Sequence, residues 1–232
     1  IHWAATSNIS VDVVRLLLET GGREQLQVKA HGSFAVHCAA QYNSSTDVLQ
    51  LLLETGGFEQ LQLKGHGGLP LHYAAWKNSN VKVARLLLAI GGAEQLQVKN
   101  RFGSLPMHLA AQDNSSVNVA RLLLETGGRE QLQMKKHAGG LPIHLAAQDS
   151  SNVDVVRLLL ETGGLEQLQV KGQYGRLPMH YAASKNSSVD VVRMLLETGG
   201  AGQLQVKDQT GSSPMHCAAL TNNSVAVVRL LL

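Results

Sequence analysis

The sequence has few aromatic residues and few cysteines, and each scarcity limits what the chain can be. Aromatic residues make up only 4% of the 232 residues, although hydrophobic residues make up 44%. Leu, Val and Ala therefore supply most of the core, which suits small stacked modules better than one large globule. The two cysteines, Cys38 and Cys217, cannot form a disulfide framework, so we expect an intracellular, reducing setting, with the cytoplasm favoured.

A strong net charge and long apolar runs are also missing. Lys and Arg number 20 and Asp and Glu 17, which leaves a formal charge of only +3. Nucleic-acid binders usually carry a larger basic excess on one face, so no nucleic-acid partner is expected. No segment approaches the roughly 18 consecutive apolar residues that a membrane-spanning helix needs, so membrane insertion is not expected either.

A long phrase does repeat along the chain. A His-x-Ala-Ala core recurs at spacings of 35 or 36 residues, and its histidines are His2, His37, His72, His108, His144, His180 and His216. Each complete copy continues with an Asn/Ser cluster, a Val- and Leu-rich segment, a Gly pair and a Gln-Leu-Gln segment. Such self-similarity is typical of a solenoid. Residues 1–232 are therefore predicted to form a single array of about seven repeats, the first and last incomplete, cut from a longer array.

Each repeat predicts two helices and an extended segment. Pro70 and its equivalents lie two residues before the core histidine, where a proline suits the first turn of a helix. A Gly pair such as Gly163-Gly164 supplies the C-terminal cap of the second helix. Residues 167–171 alternate polar and apolar and are expected to be extended, although residues 166–168 could instead form a helical turn. The residue predicted to cap the second helix is Ser or Asn in every copy, namely Ser10, Ser45, Asn80, Ser116, Asn152, Ser188 and Ser224.

Two antiparallel helices with a projecting hairpin, repeated at about this length, resemble the ankyrin repeat. The resemblance covers the whole chain, and residues 67–75, Gly-Gly-Leu-Pro-Leu-His-Tyr-Ala-Ala, match the family's Gly-x-Thr-Pro-Leu-His-x-Ala-Ala phrase. Leu69 replaces the family's Thr, which removes a cap typically worth about 1 kcal/mol. The resemblance implies an all-α, ankyrin-type repeat solenoid of antiparallel helix pairs with projecting β-hairpin-like loops.

Ten histidines invite an acid–base or metal interpretation, but seven of them occupy the repeated core. Equivalent positions in stacked repeats lie roughly 8–10 Å apart, whereas zinc–nitrogen bonds are about 2.0–2.1 Å long. Neighbouring core histidines therefore cannot share a metal, and each is expected to hydrogen-bond backbone between repeats. No nucleophile-elbow, His-Glu-x-x-His or phosphate-loop motif occurs. We predict no catalytic residue, metal ligand, cofactor or small-molecule substrate, and no enzyme activity.

Comparison of the repeats with one another separates constant from variable positions. Variation is concentrated in the hairpin tips and in the two residues that follow Ala-Ala. In the ankyrin family these two sets line one concave groove where protein partners bind, so the resemblance implies a partner-binding surface there. The candidate partner-binding residues are Tyr42, Trp76, Lys77, Arg101, Phe102, Gln112, Asp113, His137, Gln148, Asp149, Gln173, Tyr174, Arg176 and Lys185.

The implied function is a protein–protein interaction module that presents a concave groove to a protein partner. Two alternatives stay open: an architectural spacer within a larger assembly, and the targeting arm of a longer multidomain protein. Tyr42, Trp76 and Phe102 are aromatic residues at variable positions, so the strongest contact is expected at the third and fourth repeats, where Lys77 and Arg101 flank them. In the opposing interpretation, Trp76 folds back over Tyr42 and covers the seam between repeats.

Overall fold

The computed structural model describes residues 1–232 and contains seven successive pairs of α-helices. The first helix of each pair, called the inner helix here, is α1 His2–Ser7, α3 Ala35–Tyr42, α5 Pro70–Lys77, α7 Pro106–Asp113, α9 Pro142–Asp149, α11 Pro178–Lys185 or α13 Pro214–Thr221. The second, called the outer helix, is α2 Val11–Gly21, α4 Thr46–Gly56, α6 Val81–Gly91, α8 Val117–Gly127, α10 Val153–Gly163, α12 Val189–Gly199 or α14 Val225–Leu231.

The helix pairs stack in one direction. Inner helices pack on the inner helices of neighbouring repeats, outer helices pack on outer helices, and β pairing is limited to two isolated bridges. The predicted all-α solenoid is therefore confirmed. None of the helices combines the length and apolar character that crossing a bilayer requires.

The segment after each outer helix begins as a helix and only later becomes extended. A five-residue 3₁₀ helix lies here in six repeats, at Arg23–Gln27, Phe58–Gln62, Ala93–Gln97, Arg129–Gln133, Leu165–Gln169 and Ala201–Gln205. The prediction that residues 167–171 are extended was wrong for their first half, and the helical-turn alternative is confirmed. The Gln167 side chain holds this turn against the outer helix, because its Nε2 donates to the carbonyls of Leu159 and Gly164, both at 2.9 Å. These bonds satisfy carbonyls at the end of α10.

The residues between each 3₁₀ helix and the next inner helix form a projecting turn, called the finger here. In the third finger the Asn100 backbone N–H donates to the Ser104 carbonyl at 2.9 Å. The same pairing closes a five-residue turn within each of the next three fingers, at residues 136–140, 172–176 and 208–212. In these four fingers a backbone hydrogen bond therefore closes the turn.

Every outer helix except α14 ends in two glycines, and each glycine is needed for a different reason. A Cβ at Gly163 would lie 2.3 Å from the Gln167 side-chain amide, so only glycine leaves room for that capping side chain. Gly164 has a φ of 81°, which residues with a side chain rarely adopt. The predicted C-terminal cap is present, although its ψ of 167° differs from the left-handed helical value.

A single apolar cluster runs through all seven repeats. Ala110 and Ala111 of α7 have no exposed surface, and neither do Val119 and Leu123 of the outer helix α8. The small alanines let neighbouring inner helices approach closely. This contact between inner helices positions their ends and the fingers.

Replacing Ala110 by Leu is expected to lower the free energy of unfolding by about 1–3 kcal/mol, because the added carbons overpack this closed contact. Urea unfolding followed by circular dichroism measures the change. Ala219→Leu is the matched control, since Ala219 is exposed in the last inner helix and should tolerate the same substitution. Equal losses in the two variants would contradict this account of the core.

Candidate protein-binding site

The core histidines connect neighbouring repeats. In α5, the Leu69 backbone N–H donates to His72 Nδ1 at 3.2 Å, and His72 Nε2 donates to the Ser104 carbonyl of the next finger at 3.2 Å. His72 therefore caps the inner helix where the family's threonine is missing. The predicted backbone hydrogen bonding between repeats is confirmed for five core histidines, namely His37, His72, His108, His144 and His180.

Burial keeps these imidazoles neutral. Burial lowers the pKa to about 4 in four of them, although hydrogen bonds to backbone carbonyls act in the opposite direction; the four are His37, His72, His108 and His144. Burial also lowers the pKa of His180. A neutral imidazole that accepts at one nitrogen and donates from the other has both positions occupied. No group of three or more His, Cys, Asp or Glu side chains is arranged to hold a metal ion.

The candidate partner-binding residues lie in two parts of the repeat. Eight lie at the ends of inner helices: Tyr42, Trp76, Lys77, Gln112, Asp113, Gln148, Asp149 and Lys185. Six lie in fingers: Arg101, Phe102, His137, Gln173, Tyr174 and Arg176. All fourteen are exposed or half-buried, so none of them is needed to fill the core.

Candidate residues at the inner-helix ends contact one another across repeats. Lys77 forms an ion pair with Asp113 of the next repeat. Gln112 Nε2 donates to Asp149 Oδ2, again in the next repeat, at 2.8 Å. Both candidate carboxylates therefore already have a partner within the chain.

Three aromatic candidates have a cation close to the ring, where a cation–π interaction holds it. The distance from the cation to the ring centroid is 5.4 Å for Lys77 and Trp76, 4.6 Å for Arg101 and Phe102, and 6.0 Å for Arg176 and Tyr174. Phe102 and Tyr174 nevertheless keep 55% and 57% of their surface exposed. Tyr42 is also 58% exposed, so Trp76 leaves most of it uncovered.

The helix-end and finger candidates meet between the fifth and sixth repeats. A hollow of about 180 Å³ is lined there by Gln148 of α9, by Gln173, Tyr174 and Arg176 of the fifth finger, and by Lys185 at the end of α11. Five of the fourteen candidates thus surround one space.

The hollow has two further lining residues that sequence reasoning did not select, Tyr181 and Ser184. Tyr181 follows the core His180, a position that changes from repeat to repeat between Trp, Cys, Tyr and Leu. That variation was a usable signal. The Tyr181 hydroxyl donates to the Gln173 carbonyl at 3.2 Å and so ties α11 to the finger.

A buried carboxylate fixes Arg176 at the edge of the hollow. Arg176 Nε donates to Asp208 Oδ2 at 2.9 Å, and the Asp208 side chain has no exposed surface. Burial opposes ionisation of Asp208, but hydrogen bonds from Thr210 and Arg176 outweigh it and hold the pKa of this carboxyl well below its usual range. Only Nε of the guanidinium is engaged in the ion pair, so both Nη groups are left for another acceptor.

A family model described as ankyrin repeats, in three copies, matches residues 1–98, 89–171 and 163–232. These overlapping ranges cover the whole chain, including every core histidine and every candidate residue. No curated protein matches the chain in sequence.

Proposed function

The chain belongs to the ankyrin-repeat family, and we propose that it is a protein–protein interaction module whose inner-helix ends and fingers form a concave groove for a protein partner. Ankyrin arrays are in general protein-binding modules and typically not enzymes. In this proposal, residues 1–232 form a single array of about seven repeats, and the protein acts inside the cell.

Exposed aromatic side chains on this surface are the observation that supports the proposal. Phe102 and Tyr174 are more than half exposed and pack against no core, so the fold itself does not require them. Aromatic residues and Arg are enriched among the residues that dominate interface energies. On the outer helix α10, by contrast, Arg157 pairs with Asp154 of the same helix, as on an ordinary solvated face.

The sequence leaves an architectural spacer open as a second candidate function. Trp3 lies in the first of the seven repeats and Leu220 in the last. A spacer would be held through these terminal repeats, and its partner would ignore the inner-helix ends of the central repeats. Substitutions at the two places therefore separate the two functions.

Replacing Trp76 by Ala is expected to weaken partner binding by more than about 2 kcal/mol, as for a central interface residue. The partner is captured with the full chain by affinity purification, identified by mass spectrometry and titrated against purified variants by calorimetry. Because Trp76 is half-buried, the melting temperature of the variant is measured in parallel to show that the fold is intact.

Two further variants, compared with Trp76→Ala, decide between the alternatives. If Asp149→Lys abolishes binding while Trp76→Ala leaves it unchanged, the groove is the site but its strongest contact is not at the third and fourth repeats. If only Leu220→Ala weakens binding, the partner holds the end of the array and the spacer function is supported instead.

A further inference from the structure

We infer that the hollow between the fifth and sixth repeats binds an acidic side chain from an extended segment of the protein partner, with its carboxylate between Arg176 and Lys185. The inference rests on the proposed function, because it names the partner's chemistry at one part of the same surface.

The charges around the hollow select an anion. Lys185 is exposed and has no ion-pair partner in the chain, and Arg176 is held by Asp208 through Nε alone. The Asp149 carboxylate, next to Gln148, already accepts the amides of Gln112 at 2.8 Å and of Gln148 at 3.3 Å. The hollow is therefore lined by two cations that can attract an incoming carboxylate, and charge-assisted hydrogen bonds are roughly twice as strong as neutral ones.

The size and walls of the hollow fit one side chain. Pockets for drug-sized ligands occupy about 300–1,000 Å³, whereas this hollow has about 180 Å³. Tyr174 and Tyr181 both line it, and Gln173 adds an amide group, whereas the Gln148 amide already donates to Asp149. Apolar ring surface suits the methylene groups of a Glu side chain, while the Gln173 amide and the two cations suit its carboxylate.

Tyr174 is strained in a way that its counterparts in the other five-residue turns are not, although His31 in the shorter first finger also has a positive φ. Its φ of 59° and ψ of 22° lie in the left-handed region, which a bulky residue seldom adopts. The residues at the same place in the other five-residue turns, Phe102, Ala138 and Thr210, do not have a positive φ. Strained residues persist where the surrounding structure enforces them and are concentrated at functional sites. We therefore infer that the Tyr174 ring is kept at the hollow for binding, because glycine would adopt this backbone conformation without strain but has no ring.

The test uses the full 232-residue chain and a fluorescent twelve-residue peptide that alternates Glu and Gly, with its Gln counterpart as the neutral control. We expect fluorescence anisotropy to show binding of the Glu peptide and binding at least about tenfold weaker for the Gln peptide. Lys185→Glu should weaken binding of the Glu peptide by about tenfold. Lys82→Glu makes the same charge change on the exposed outer helix α6 and should leave the affinity unchanged.

A second variant separates binding from folding. Tyr174→Gly removes the strain of the positive φ and should therefore raise the melting temperature. The same substitution removes the ring from the hollow and should weaken binding of the Glu peptide by about fivefold. Opposite changes in stability and affinity cannot result from a loss of fold.

The inference is overturned if the Glu peptide does not bind, if the Gln peptide binds equally well, or if Lys82→Glu weakens binding as much as Lys185→Glu. It is also overturned if Tyr174→Gly leaves the affinity unchanged. None of these results decides the proposed function, which fails only if the captured partner is indifferent to both Trp76→Ala and Asp149→Lys.

Discussion

Lowering the pH from 7 to 5 is expected to reduce the free energy of unfolding of this array by about 7 kcal/mol, or about 1.8 kcal/mol for each of four buried histidines. A loss of that size is comparable to the whole stability of an ordinary domain. We therefore expect the chain to lose cooperative structure between pH 6 and pH 4. The four histidines, whose pKa burial lowers to about 4, are His37, His72, His108 and His144.

The direction follows from the proton balance. In the unfolded chain a histidine has a pKa of about 6.5, so between pH 6.5 and pH 4 the unfolded state binds more protons than the folded one. The stability is fully present above pH 6.5 and is lost as the pH falls toward 4. In the structure, a proton on His72 Nδ1 would displace the Leu69 N–H that donates to it. Protonation therefore breaks the cap of the inner helix as well as charging a buried group.

Urea midpoints measured by circular dichroism at pH 7, 6 and 5 test this expectation, and an unchanged midpoint would contradict it. His108→Gln should lower the stability at pH 7 and reduce the pH dependence by one proton. His216→Gln is the control, because His216 is exposed in the last repeat. Asp208 does not interfere, since its pKa is lowered and its contribution is lost only at still lower pH.

The helices could be predicted from the sequence because their signals are local and occur in every repeat. Pro70 and Ser45 each mark a helix start through their own backbone or hydroxyl chemistry, and both prediction and structure place the ends there. The 3₁₀ helix could not be settled, because the alternation of residues 167–171 also fits an extended segment, and the bond from Gln167 to the Leu159 carbonyl is not visible in the sequence. The helix cap from His72 was missed for a related reason, since the histidine was considered only as a contact between repeats.

The candidate site was predictable only as a set of positions. Variation among repeats indicates which side chains the fold leaves free, and all fourteen candidates are indeed outside the core. Which of them contact one another depends on how far each repeat is offset from the next, and a period alone does not give that offset. Asp208 shows the difference: a carboxylate in a finger is expected at the surface, yet it is buried against Arg176.

A row of asparagine side chains joins the ends of neighbouring inner helices. Asn78 Nδ2 donates to the carbonyls of Ala40 and Asn43 at 3.0 and 2.9 Å, and its Oδ1 accepts the Asn80 N–H at 2.9 Å. These two carbonyls belong to the end of α3, where no backbone partner is left within the helix. The same amide bonds to the preceding repeat are made by Asn43, Asn78, Asn114, Asn186 and Asn222.

The fifth repeat breaks this row, because Ser150 stands where the others have asparagine. Its hydroxyl accepts the Asn152 N–H at 3.2 Å but provides no bond to the preceding repeat. The preceding inner helix, α7, is also the one whose C-cap residue, Asn114, makes no backbone N–H bond back into its helix. A hollow of about 90 Å³ lies at this seam, lined in part by Asn114 and Ser150. The seam between the fourth and fifth repeats is therefore short of hydrogen bonds and has room for a longer side chain.

Two opposite substitutions test the role of this row. Asn78→Ser should lower the free energy of unfolding by about 2–4 kcal/mol, because two buried carbonyls lose their donor. Ser150→Asn should raise it by about 1–2 kcal/mol, since the new amide reaches the carbonyls at the end of α7 and fills the hollow. Urea unfolding at pH 7 measures both, with Ser151→Asn as the control because Ser151 is the exposed neighbour of Ser150. If Ser150→Asn destabilises the array, the packing of this seam requires the serine, and the missing amide does not lower the stability there.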